Sequence, residues 1–198
     1  MTIGKDQTDH WRNRRSIRLQ EYDYSQPGVY YTTVCTRDRE CLFGNVLDGQ
    51  MPLNEAGQII QSVWNGLPQY YEGIELDVFI IMPNHVHGVI VLRAVVGAIH
   101  ESPLQSIRES SAPIPITDRR QMLLSKVIGR FKMVSAKRIN GLRQSRGSAL
   151  WQRNYYEHIV RGDESLKRIR QYIIDNPAQW ESDRENPAVT PSQKPNAV

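Results

Sequence analysis

Residues 74 to 92 read Ile-Glu-Leu-Asp-Val-Phe-Ile-Ile-Met-Pro-Asn-His-Val-His-Gly-Val-Ile-Val-Leu. Two runs rich in β-branched and aromatic residues flank Pro83-Asn84, a pair suited to a turn. The stretch therefore predicts a strand over Ile74 to Met82, a turn, and a strand from His85 to Leu92, together a buried strand pair. Side chains alternate faces along a strand, so His85 and His87 point the same way. On a helix the two rings would stand about 200° apart. As a strand pair on one apolar face they can ligate one metal ion. Spacing alone does not decide it: a partly buried histidine is more often a satisfied core residue, and the pair falls short of a full zinc signature.

The rest of the chain supplies a frame for this pair. Val29 to Thr36 reads as a strand. Asn54 to Tyr71 reads as a helix, with Asn54 as N-cap, Ile59, Ile60, Val63, Trp64 and Leu67 at helical spacing, and Gly73 as its end. Asp118 is expected to cap a helix reaching Asn140, with Leu123, Leu124, Val127, Ile128, Phe131 and Val134 as its stripe and Gly141 as its close. Ser148 to Tyr156 reads as a short strand or extended segment. Asp163 opens a last helix, Glu164 to Asp175, stopped by Pro177. The order predicts an α+β, ferredoxin-like (RRM-like) fold. It is a β-α-β-β-α-β antiparallel sheet with helices on one face, followed by a C-terminal helix. The first and third strands would be central, which sets the histidines mid-sheet.

Outside this frame, residues 1 to 20 form a polar basic arm, 93 to 117 a Ser- and Pro-containing loop insertion, and 181 to 198 a disordered tail. Residues 21 to 180 are the expected folded domain. A chain of 198 residues with 39% hydrophobic and 23% charged residues suits one globular domain. No apolar run approaches a membrane span of roughly 20 residues, and the N-terminus carries no signal-like hydrophobic region. A cytoplasmic protein is expected, with Cys35 and Cys41 as free thiols. Two cysteines exclude a four-cysteine zinc site.

Charge distribution points to a partner. The formal net charge is +4. From Arg119 to Arg146 there are nine Lys or Arg residues and no Asp or Glu. A solvated helix face usually mixes signs, so a one-signed stretch favours a phosphate backbone. Arg130, Lys132, Lys137 and Arg138 of this stretch, Arg14 and Arg15 of an N-terminal cluster, and Arg153 are the candidate contacts to nucleic-acid phosphates.

On the last helix Tyr172 and Asn176 are four residues apart and share a face. Taken alone, Tyr172 is as well explained by packing on the sheet and Asn176 by ending the helix before Pro177. Met82-Pro83-Asn84-His85-Val86-His87 resembles the HUH motif (His, hydrophobic, His) of single-tyrosine transposases, in particular the REP-associated tyrosine transposases related to insertion-sequence-200-type enzymes. Gly129-Arg130-Phe131-Lys132, Leu150 to His158, and Tyr172 to Pro177 resemble further blocks of that family, in its order. The resemblance covers roughly residues 20 to 180.

The resemblance implies an enzyme that cuts and rejoins single-stranded, hairpin-containing DNA through a 5′-phosphotyrosine link. It implies Tyr172 as nucleophile, His85 and His87 as metal ligands, and Asn176 as the polar third ligand. Carboxamide and imidazole ligands suit Mg²⁺ or Mn²⁺, though imidazoles also accept Zn²⁺. It leaves open a monomer or a homodimer. Tyr155 and Tyr156 are competing tyrosines in an extended stretch, where one could stack on a base. The alternative function is a non-catalytic single-stranded DNA or RNA binding module of the same fold. A histidine-triad nucleotide hydrolase would need a further histidine at alternate spacing, and position 89 is valine.

Overall fold

The computed structural model describes residues 22–94 and 122–189. A four-stranded antiparallel sheet carries β1 (Gly28–Cys35), β2 (Ile74–Ile81), β3 (His85–Leu92) and β4 (Tyr156–Val160) in the order β2-β3-β1-β4. Its helices are α1 (Glu55–Asn65), α2 (Leu123–Leu142) and α3 (Asp163–Asp175). The predicted α+β class and the central position of the first and third strands hold.

Alternation along the central strands sorts the layers. Tyr30 and Val34 of β1 and Val86 and Ile90 of β3 are buried together with Ile60, Val63 and Trp64 of α1 and Val127, Ile128 and Phe131 of α2. Trp64 lies flat on Phe79 at a ring separation of 4.2 Å. Gly88 permits this approach, since a Cβ there would stand 2.5 Å from the Trp64 ring. Tyr31, Thr33, Cys35, His85 and His87 project from the opposite face of the sheet.

Several boundaries depart from expectation. Asn54 does cap α1, its side chain accepting the Gly57 amide at 3.0 Å. The helix nevertheless stops at Asn65, because Pro68 has no amide to continue the ladder and opens a 3₁₀ turn over Leu67–Gln69. Helix α2 begins at Leu123 rather than after Asp118, which lies outside the described residues; the Ser25 hydroxyl accepts the Leu123 amide from far along the chain. Gly141 sits inside α2, which runs on to Leu142.

The fourth strand starts at Tyr156, not Ser148. Residues before it are held otherwise: Trp151 is buried, donates to Ser135 Oγ at 2.9 Å, and forms an isolated bridge with Thr36, just past the end of β1. The predicted tail from residue 181 also gives way. Pro177 opens a 3₁₀ turn over Pro177–Ser182, and Asp183, Asn186 and Val189 beyond it are buried. Asn186 fixes that return by accepting the Ala188 amide and donating to Trp180 O. The arm at 1–20, with Arg14 and Arg15, residues 95–117 of the insertion, and residues 190–198 lie outside the described residues. Among the described residues, no helix is long and apolar enough to cross a membrane.

Candidate active site

The open face of the sheet gathers most of the residues singled out from sequence. Register places Thr33 opposite His87 and Cys35 opposite His85. Both imidazoles are buried, with their Nε2 atoms 3.1 Å apart. Two nitrogens about 2.1 Å from one cation and at right angles to each other stand about 3.0 Å apart, so this pair is spaced to share an ion. A single proton between them would satisfy the same distance.

The far nitrogens of the rings are also engaged. His85 Nδ1 meets Asn84 Oδ1 at 2.8 Å. His87 Nδ1 meets both the Tyr31 hydroxyl and Thr33 Oγ1 at 2.8 Å. Burial pushes His85 down to about 3, with the Arg39 charge adding to it and the Asn176 carboxamide opposing. Burial, then the neighbouring His85, pushes His87 well below the ordinary histidine range. Both rings are therefore neutral near pH 7, the state a metal ligand requires.

Helix α3 lies across this face toward β2, where Arg170 pairs with Asp77 of the β-bulge between Leu76 and Phe79. It brings the Tyr172 ring to 5.4 Å from His87 and 6.4 Å from Tyr31, while 39% of the residue stays exposed. A substrate can thus reach the phenol from solvent. Burial raises the Tyr172 phenol above its ordinary range, Asp183 and Glu185 add to the rise, and hydrogen bonding to Asn176 and Tyr31 opposes it. A tyrosine so placed needs help to ionise.

Asn176, at the end of α3, is buried. Its Nδ2 is 3.4 Å from Asp183 Oδ2, and its Oδ1 is a buried acceptor with no hydrogen-bond partner. Orphaned buried acceptors are rare and ask for a missing donor or ion. Asp183 itself is the residue the sequence reading missed. Its carboxylate and the two imidazoles place ligand atoms all within 4.8 Å of one another. The donor set of imidazole, carboxylate and carboxamide fits a divalent cation. Asp183 sits in Glu-Ser-Asp-Arg-Glu-Asn, whose composition resembles a solvated tail; the signals available were Trp180 and Val189, apolar residues that anchor it.

Other candidates fall elsewhere. Arg130, Lys137 and Arg138 are on α2, which packs on the opposite face of the sheet. Arg130 stacks on Tyr70, its guanidinium carbon 3.4 Å from the ring centre, and Lys137 and Arg138 are exposed. Lys132 donates to the Gln152 and Arg153 carbonyls at 2.6 and 3.0 Å, and so braces the chain entering β4. Arg153 is exposed next to Gln152, whose amide binds Cys35 O. Tyr156 shares the open face, opposite Thr33, but its ring meets Tyr31 at 6.1 Å rather than the histidines. Tyr155 packs on the core instead, and His158 lies at the exposed β4 edge.

Residues 115–176 match the family model described as "Transposase IS200 like". An uncharacterized protein of Haemophilus influenzae is 38% identical over 174 residues, spanning 87% of this chain and 92% of its own length. Among solved structures, a REP-associated tyrosine transposase bound to a REP hairpin aligns at a TM-score of 0.51 and 16% identity, covering 83% of this chain and 73% of that one. That likeness supports the sheet and helix arrangement.

Proposed function

Because the chain belongs to the IS200-like transposase family, we propose that it nicks and rejoins single-stranded, hairpin-containing DNA with Tyr172 as nucleophile. One observation carries the proposal: Tyr172, half-exposed on α3, stands over a buried pair of neutral imidazoles whose Nε2 atoms converge. The hairpin as partner is supported by the solved transposase of the same fold, which is bound to one.

The phenol oxygen attacks the scissile phosphorus in line, and the bond to the 3′ oxygen breaks. Tyr172 loses its proton and the departing 3′ oxygen gains one, leaving a 5′-phosphotyrosine and a free 3′-hydroxyl. Attack by a 3′-hydroxyl on that link reverses the exchange and releases Tyr172. Bond energy is conserved, so no nucleotide triphosphate is consumed. His85 and His87 would hold a divalent cation, Mg²⁺ or Mn²⁺, with Asn176 Oδ1 and the Asp183 carboxylate as the available oxygen donors. Bound there, the cation would polarise the scissile phosphate. Tyr31 stays protonated, raised by burial, and donates toward Tyr172, which favours the phenolate.

The basic residues divide the remaining work. Arg153, whose neighbour Gln152 binds the end of β1, would contact phosphates that flank the cut. Arg130, Lys137 and Arg138, on the far side, suit a duplex stem wrapped around the domain. The test is incubation with single-stranded hairpin DNA and Mn²⁺, followed by denaturing electrophoresis. A covalent protein–DNA adduct is expected from the unmodified protein and none from Tyr172→Phe. His87→Ala should lower its rate by at least about 10²-fold. An adduct that survives in Tyr172→Phe sinks the nucleophile assignment. No adduct on any hairpin substrate favours a binding module without catalysis.

A further inference from the structure

Asn84 precedes the first histidine, is fully buried, and has both ends of its side chain engaged. Its Nδ2 donates to two main-chain carbonyls, Glu185 O at 2.7 Å and Arg39 O at 3.1 Å. Carbonyl oxygens only accept, so the end facing them is the amide nitrogen and the end facing His85 is the oxygen. That oxygen lies 2.8 Å from His85 Nδ1 and can itself only accept. His85 must therefore carry its proton on Nδ1, which leaves a bare lone pair on Nε2, aimed at His87. The tautomer follows from hydrogen-bond valence alone.

The same side chain reaches the segment that bears Asp183. Glu185 O is two residues beyond that carboxylate, and Glu185's own side chain pairs with Arg39 at 3.1 Å. Asp38 and Arg39 have φ of 54° and 57°, the left-handed region that non-glycine residues rarely occupy. That conformation turns the Arg39 carbonyl onto Asn84. Strain of this kind persists only where surrounding contacts over-determine it.

We propose that Asn84 is a positioning residue that couples two events: it fixes His85 as an Nε2 ligand and latches residues 183–186 over the same site. Metal binding at the histidines and closure of the Asp183 segment are then linked, and each favours the other. The metal half rests on the cation site proposed above; the latch and the tautomer do not.

Two substitutions separate the ends. Asn84→Asp keeps an acceptor for His85 Nδ1 but loses both donors, whereas Asn84→Ala loses everything. Mn²⁺ binding is followed by electron paramagnetic resonance and closure by amide exchange over residues 183–189. Asn84→Ala should weaken Mn²⁺ binding by about 10- to 100-fold and speed exchange several-fold, Arg39 still holding Glu185. Asn84→Asp should speed exchange as much but weaken Mn²⁺ binding less than Asn84→Ala, by the share that closure alone contributes. Equal Mn²⁺ loss in both variants, or unchanged exchange in Asn84→Ala, overturns the coupling. Imidazole ¹⁵N chemical shifts of the unmodified, metal-free protein need no mutation; an Nε2–H tautomer at His85 overturns the proposal even if both variants fail to fold. Should the unmodified protein bind no Mn²⁺, the cation site is wrong, while tautomer and exchange still judge Asn84.

Discussion

The two faces of the sheet are made by the same strands in the same register, yet they differ in kind. Toward α1 and α2, β1 and β3 present Tyr30, Val34, Val86 and Ile90, all buried among apolar neighbours. Thr32 is the polar member of that side, and its hydroxyl is spent on Gly88 O at 3.1 Å. One residue further along each strand, Tyr31, Thr33, His85 and His87 form a network of short polar contacts covered by α3 and the segment after it. A period of two thus builds a load of packing on one side and of chemistry on the other. The difference teaches that the first face sets stability and the second sets reactivity, and the two should separate under mutation.

The largest expected effect comes from breaking the packed face. Phe131 is fully buried, 5.4 Å from Trp64 and 5.5 Å from Trp151. Phe131→Ala should cost roughly 3–5 kcal/mol in urea unfolding, a large share of the stability of a typical domain. Thr33→Val on the other face removes only a hydroxyl that contacts His87 and Tyr31, and should leave the midpoint nearly unchanged while slowing adduct formation. Equal destabilisation by the two would erase the distinction.

Acid sharpens it next. Both imidazoles of the open face have folded values depressed by burial, His85 to about 3, against an ordinary histidine value near 6.5. Between these limits the unfolded chain binds more protons, so stability is present above about pH 6.5 and is lost as pH falls. The slope is about 1.4 kcal/mol per pH unit for each imidazole that titrates on unfolding. Urea unfolding of the metal-free protein at pH 7, 6 and 5 should show this loss, and the His85→Asn, His87→Asn double variant should be flatter. A variant with the same slope would mean that other groups govern acid sensitivity.

A third comparison lies within the open face, between the two oxygen donors. Asp183 brings a full charge and Asn176 a dipole, so Asp183→Ala should weaken Mn²⁺ binding by roughly tenfold or more and Asn176→Ala by less. Asp183 also raises the Tyr172 phenol. Its removal lowers that phenol, so at saturating Mn²⁺ the rise of adduct formation with pH should move to lower pH. An unmoved profile together with unchanged affinity would remove Asp183 from the site.

Local pattern made most of this architecture legible. Asn54, the Pro83-Asn84 turn and the i, i+4 relation of Tyr172 to Asn176 are short-range signals, and they landed where expected. What the sequence hid depends on long-range contacts. The start of α2 is set by Ser25, far away in sequence. Residues 148–155 carry strand-forming side chains, but Trp151 is committed to Ser135 and Phe43, which delays β4 to Tyr156. Asp183 is buried by Asn84 and Arg39 holding its neighbour Glu185, and nothing in its own surroundings in sequence announces that. The basic helix was legible as charge, but its place behind the sheet follows from which stripe is apolar.

The smallest expected effect tests how α3 is held over the open face. Arg170 meets the Asp77 carboxylate through two nitrogens, joining the helix that bears Tyr172 to the bulge of β2. Arg170 is about half exposed, with 46% of its side chain open to solvent, so water and salt screen the pair. Arg170→Ala should therefore change unfolding free energy very little. Position is another matter: the helix approaches the site through Tyr172 itself, and Ile173 is the α3 side chain that is fully buried. Loosening this tie should slow adduct formation by a factor larger than the stability loss alone predicts, and 1 M salt should slow the unmodified protein toward the variant. If rate and stability fall in step, α3 is seated by Ile173, and the ion pair is ornament to it.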